Sequence, residues 1–206
     1  HSESEQISFK EAYKMALNFV KEKIIYLLLI GTIANVTFSM SFLTPIYSVY
    51  FLGVTEIQWG YISVLTMFLG IIATIPAGFL IDRIGRKPIF ILSELLHLSG
   101  VLLLFTAPYM RLSVFMLTLV AVGLTSIGTS IYVISMNTIT TDLVPLKLRG
   151  RVNSIIGLII SITSSLTTLA AGAIYSFIGP NMPYLVAAIA ALFAVLTIIL
   201  KIPETK

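Results

Sequence analysis

The sequence predicts an all-α membrane protein built from six transmembrane helices. Three observations predict it. Of 206 residues, 57% are hydrophobic and only 11% charged, against roughly 25% charged in an ordinary soluble domain. Mean hydropathy is +1.01, and a chain of this length cannot enclose so much apolar surface in a water-facing core. The apolar residues also fall into six runs, each close to the roughly 20 residues a helix needs to cross a bilayer. Composition thus excludes a soluble enzyme. With no cysteine in the chain, disulfide scaffolds and cysteine-ligated metal centres are excluded as well, and neither a metal site nor a cofactor is expected.

Residues 1–23 are expected to form an amphipathic helix on the cytoplasmic face, and residues 24–206 the six-span domain. Ser8 and Glu11 have the spacing of a capping box, and Phe9, Tyr13, Ala16 and Val20 recur at helical intervals. Lys10, Lys14, Lys21 and Lys23 supply a polar side suited to anionic headgroups, the alternative being a solvated lead-in to the first span. The spans are expected near 24–49, 58–81, 88–107, 112–139, 152–178 and 184–200. Between them lie Gly53–Glu56, Asp82–Pro88, Pro108–Arg111, Asp142–Arg151 and Gly179–Pro183, all too short to be domains. Pro45 is placed to break the first span near its outer end.

Lysine and arginine set the orientation. With six spans, the termini share one side with the second and fourth connections. That side holds Lys10, Lys14, Lys21, Lys23, Arg83, Arg86, Lys87, Lys147, Arg149, Arg151, Lys201 and Lys206, whereas the other holds only Arg111. The asymmetry predicts cytoplasmic termini in a multi-pass protein of the plasma membrane. It also accounts for the net charge of +4, so no nucleic-acid partner is needed.

The second connection has a defined chemistry. Gly70, Thr74 and Gly78 form a strip of small residues where another helix can come close. Gly85 permits a left-handed turn, and Pro88 suits the first position of the next helix. Asp82 is expected to pair with Arg83 or Arg86, or to sit at the positive end of a neighbouring helix. On this chemistry alone, a hairpin serving only topology is equally admissible.

The run Gly78-Phe79-Leu80-Ile81-Asp82-Arg83-Ile84-Gly85-Arg86-Lys87 resembles the signature that follows the second helix of a half in the major facilitator superfamily. Leu148-Arg149-Gly150-Arg151 is similar to the basic loop between that family's fourth and fifth helices. Pro203-Glu204-Thr205-Lys206 looks like the segment after a half's last helix. The resemblance implies half of a twelve-helix transporter, built as an inverted three-plus-three repeat. It further implies that Gly78, Asp82, Arg83, Gly85, Arg86 and Lys87 form a gating turn meeting the other half, as do Arg149 and Arg151. In the isolated half, the strip Gly70, Thr74 and Gly78 would face lipid. The amphipathic lead-in resembles the linker between halves. The chain opens on His1, and its fifth span lacks the glycine–proline–glycine signature of first-half drug antiporters. Together these point to the C-terminal half, with a six-span homodimer as the alternative.

In that layout the first, second, fourth and fifth spans line the cavity or the half-to-half contact, and the third and sixth face lipid. Asn35, Phe38 and Phe42 follow one face of the first span, and Ser126, Ser130 and Asn137 one face of the fourth. These are the substrate-cavity candidates. For the serines, ordinary interhelical bonding competes with that role. Glu94 is the one acidic residue well inside a span, with His97 at i+3. Burying such a group costs roughly 2.5–3.5 kcal/mol on insertion scales, which makes the pair a candidate proton site. A peripheral third span favours instead a carboxylate that snorkels to the interface or pairs with a basic loop residue. The coupling site would then lie in the other half, and Glu94→Gln would retain transport.

The expected function is secondary transport by alternating access, most simply proton-coupled efflux of drug-like or amphipathic small molecules. Its partners are that substrate, the bilayer, and the other six-helix half in the same chain or a second copy. An uptake porter for a neutral metabolite such as a sugar, and a six-span subunit without transport, are the competing readings. No Ser/His/Asp set, metal-ligand cluster or pair of buried carboxylates points to an enzyme.

Overall fold

The computed structural model describes residues 9–202. Its helices are α1 (Phe9–Lys23), α2 (Ile25–Ser41), α3 (Thr44–Ile46), α4 (Glu56–Ile84), α5 (Arg86–Thr106), α6 (Val114–Leu143), α7 (Arg149–Phe177) and α8 (Met182–Lys201). Six membrane-capable spans result: Ile25–Phe51, Glu56–Ile84, Arg86–Tyr109, Val114–Leu143, Arg149–Phe177 and Met182–Lys201. Each expected apolar run falls within or against one of them. The first span is interrupted, as Pro45 suggests. α2 ends at Ser41, Pro45 opens the short α3, and a π turn carries the chain over Tyr47–Phe51.

The spans are longer than the apolar runs because their ends are capped or charged. Thr55 and Gln58 form a reciprocal capping box that starts α4. At the far end α4 runs through Asp82 and Arg83 to Ile84, and only Gly85, at φ +106, is non-helical before α5 begins. The connection expected over Asp82–Pro88 is therefore a single glycine, because its left-handed backbone reverses the chain in one residue. Pro88 stands third in α5, where its missing N–H still costs nothing. Arg149 and Arg151 likewise lie in the first turn of α7 rather than in a loop.

Packing is pairwise. α6 lies between α4 and α5, α2 between α7 and α8, and α5 packs on α8. Exchanging the first and fourth spans, the second and fifth, and the third and sixth leaves these pairings unchanged, as an inverted three-plus-three repeat requires. α5 and α6 come closest. A Cβ on Gly100 would stand 2.6 Å from the Ala121 carbonyl oxygen, and one on Gly128 would stand 2.8 Å from that of Ser93. Ala187, Ala188 and Ala191 play the matching small-residue role on α8, against Met40, Leu98 and Val101.

Both ends of the bundle are tied. At the end opposite the basic residues, the Tyr47 hydroxyl donates to the Leu104 carbonyl at 2.9 Å, and that of Tyr184 to Thr44 Oγ1 at 3.3 Å. These bonds join the first, third and sixth spans. At the basic end Val20 and Ile24 share one apolar cluster with residues of α2, α5, α6, α7 and α8.

Three expectations need correction. α1 buries Ala12, Ala16 and Val20 against the bundle, touching α7 and α2, so its apolar face belongs to the protein while its four lysines stay exposed. Ser8, and with it the capping box, lies outside the described residues, as does Pro203–Lys206. Gly70 does not face outward: a Cβ there would meet Ser126 Oγ and Ser130 Oγ at 2.8 Å, so it seats α4 on α6 of the same half. Gly78, two turns on, has nothing within 4 Å. Third, the third span is peripheral on one face only. Leu92, Leu95 and Leu102 point outward, while Ser93, Glu94, His97 and Val101 turn into the half because α6 and α8 flank α5.

Candidate functional site

A cavity of about 520 Å³ opens between α2, α4, α5 and α6. Phe38, Phe42, Ser126 and Ser130, all expected from spacing, line it. So does His97, approached from α5. Spacing alone did not single out Ser41, Ser63, Thr66, Met67, Val122, Thr125 and Thr129, which complete the wall. Their signal was present: Ser63, Thr66 and Met67 sit at i, i+3 and i+4, and residues 122, 125, 126, 129 and 130 trace one helical stripe.

The wall is rich in hydroxyls, and their hydrogen bonds have a common direction. Ser41 donates to the Thr37 carbonyl at 3.0 Å, Ser63 to Trp59 at 2.9 Å, and Thr66 to Ile62 at 2.8 Å. Thr125 donates to Val122 at 2.9 Å and Thr129 to Thr125 at 2.8 Å. Ser126 donates across to the Thr66 carbonyl of α4 at 2.7 Å. Ser126 is thus both cavity wall and interhelical bond, so the two roles coincide.

Neither asparagine reaches this cavity. Asn35 accepts a bond from Ser39 Oγ at 3.0 Å, and that hydroxyl lies 3.1 Å from Ser164 Oγ, which ties α2 to α7. Asn137 lines a separate cavity of about 350 Å³ between α6 and α7, with Thr140, Thr141 and Asn153.

Glu94 and His97 are 2% and 3% exposed. Glu94 neither snorkels nor forms an ion pair among the described residues. It starts about 12 Å along α5 from Arg86 at 1.5 Å per residue, and the inward face of that helix leaves it no route to the interface. Neither ring nitrogen of His97 has a hydrogen-bond partner among the described residues. Its ring stands edge-on to Phe38 at 4.7 Å, and Phe38 in turn meets Tyr132 at 5.1 Å. Phe38 therefore meets both the His97 ring and Tyr132, and Phe38 and His97 both line the cavity.

At the basic end, Arg86 pairs with Asp142 in the last turn of α6. The expected Asp82 pairing is not formed. Gly85 swings Arg86 onto α5, which packs against α6, while Asp82 remains exposed on α4. Arg83 instead covers the Phe79 ring at 4.3 Å, and Lys87 donates to the Ile199 carbonyl at 2.8 Å. Arg149 donates to the carbonyls of Val144 at 3.1 Å and Thr141 at 2.6 Å. These cations neutralise the carbonyl-rich ends of α8 and α6, where Asp142 alone would be unfavourable.

The family model described as Major Facilitator Superfamily matches residues 25–206. The chain belongs to the major facilitator superfamily. No curated protein matches it. As a member of this superfamily it is a multi-pass membrane transporter, and superfamily members are transporters rather than enzymes. The match begins with α2, the first span, and leaves α1 outside. Within the superfamily frame, the six spans form one half, and the cavity lies where its first and fourth spans converge with the second.

Proposed function

We propose that this half works by alternating access with a second six-helix half, in the same chain or in another copy, and exports drug-like or amphipathic molecules in exchange for protons. The observation that carries the reading is the cavity. Its wall combines phenyl rings, a thioether and hydroxyls, with no lysine, arginine or carboxylate. Such a surface suits an amphipathic solute and offers no countercharge to a phosphate or a carboxylate. Residues 24–206 are the transport unit and α1 a cytoplasmic linker helix, in keeping with a C-terminal half in the plasma membrane. The basic end faces the cytoplasm. Gly78, Asp82 and Arg83 face the other half there, while Gly85, Arg86 and Lys87 brace the turn that presents them. Arg149 and Arg151 border the same contact.

Glu94 with His97 is the proton site in this reading. The burial of both residues away from the interface and the place of His97 in the cavity wall support that role. The test is transport in proteoliposomes by the complete two-half protein under an imposed pH gradient. Glu94→Gln should abolish gradient-driven accumulation and retain exchange. Unchanged accumulation would remove Glu94 from coupling, and no gradient response in the unmodified protein would remove proton coupling altogether.

A further inference from the structure

We infer that the cavity selects amphipathic amines, ligands that carry positive charge and donate hydrogen bonds, over anions and carbonyl-rich compounds. This deepens the functional reading above and rests on the cavity's being the substrate site. A hydroxyl has one proton and two lone pairs. Six cavity hydroxyls, Ser41, Ser63, Thr66, Thr125, Ser126 and Thr129, have that proton committed to a backbone carbonyl. Only lone pairs remain to face a ligand. A hydroxyl must abandon its carbonyl before it can donate, which costs the bond it holds.

The rest of the wall has the same polarity. Phe38 and Phe42 present rings whose faces are electron-rich, and the Met67 thioether is a weak acceptor. The His97 nitrogens are shut off from the cavity by burial, so its ring adds no ready donor. Ser130 alone among the wall's hydroxyls has a proton uncommitted. An ammonium with two or three N–H groups therefore meets acceptors on α2, α4 and α6 together. A carboxylate of the same shape meets one donor and a ring of lone pairs.

Three probes that share a phenylbutyl body separate the contributions: phenylbutylammonium, phenylbutyl-trimethylammonium and phenylpentanoate. The chain in phosphatidylcholine nanodiscs is titrated with each. Isothermal titration calorimetry reports binding. The primary ammonium should bind roughly tenfold or more tighter than the quaternary one, as expected for a charge-assisted bond, and tighter still than the carboxylate. Equal affinity of the two cations would overturn the role of the lone pairs, and carboxylate binding as tight as ammonium would overturn the polarity. Ser41→Phe and Ser63→Phe, from different helices and each checked for native helicity, should weaken ammonium binding roughly tenfold. If both are folded and neither changes binding, the cavity is not the site, and the functional reading fails with the inference. Loss of binding in these variants, with no discrimination among probes, leaves the site standing and sinks the selectivity alone.

Discussion

Adding one methyl group at the α5–α6 contact should destabilise the half more than its size suggests. In Gly100→Ala the new Cβ stands 2.6 Å from the Ala121 carbonyl oxygen and 3.1 Å from the Thr125 nitrogen. In Gly128→Ala it stands 2.8 Å from the Ser93 carbonyl oxygen and 3.0 Å from the His97 nitrogen. These neighbours are backbone, so whole helices must part by several tenths of an ångström. Overpacking of this kind costs about 1–3 kcal/mol. Helix propensity returns at most about 1 kcal/mol for glycine to alanine, which leaves a net loss of up to about 2 kcal/mol. Gly78→Ala is the internal control: nothing lies within 4 Å of its Cβ, so propensity alone acts and the change is neutral or slightly stabilising. Equilibrium unfolding of the three variants in matched micelles, followed by circular dichroism, reads the difference directly. Gly100→Ala and Gly128→Ala unfolding together with Gly78→Ala would refute the backbone-to-backbone contact.

Two further predictions concern the basic end. Arg86→Ala and Asp142→Ala should each cost no more than about 1 kcal/mol in stability, because the pair is 25% and 38% exposed and screened; a double-mutant cycle in low salt should show a coupling that fades as salt is raised. Asp82→Asn and Gly78→Leu should abolish transport by the complete two-half protein and leave insertion intact, since both residues are unengaged within this half and topology rests on the other basic residues; normal flux from both would reduce the turn to a topological signal.

What could be read from the sequence followed the reach of periodicity. Each apolar run became a span, and Pro45 broke the first where it stands. The stripe on the fourth span was legible as far as Ser126 and Ser130. Asn137 lies outside the cavity those serines line because a helical face also has height: it stands seven residues beyond Ser130, about 10 Å along the axis, where it lines the separate cavity beside α7. Asn35 lies outside the serines' cavity because it is engaged by Ser39, which reaches Ser164 on α7. Arg86–Asp142 was illegible from local charge, because the partner is 56 positions away in the chain and only the packing of α5 on α6 brings it near. Gly100 and Gly128 look like any glycine in an apolar run until the facing backbone is placed. The inward burial of Glu94 was missed through one assumption, that a peripheral helix has no inward face.

The measurement closest to the central claim is flux through this chain alone. Reconstituted into proteoliposomes, with crosslinking to report its oligomeric state, the 206-residue chain should insert as six helices and carry no substrate as a monomer. Its cavity is walled by α2, α4, α5 and α6 on one side only, and alternating access needs a second half to close the other. Flux that appears only in a crosslinked dimer would identify the second half as another copy. Substrate flux from the monomer would contradict the account.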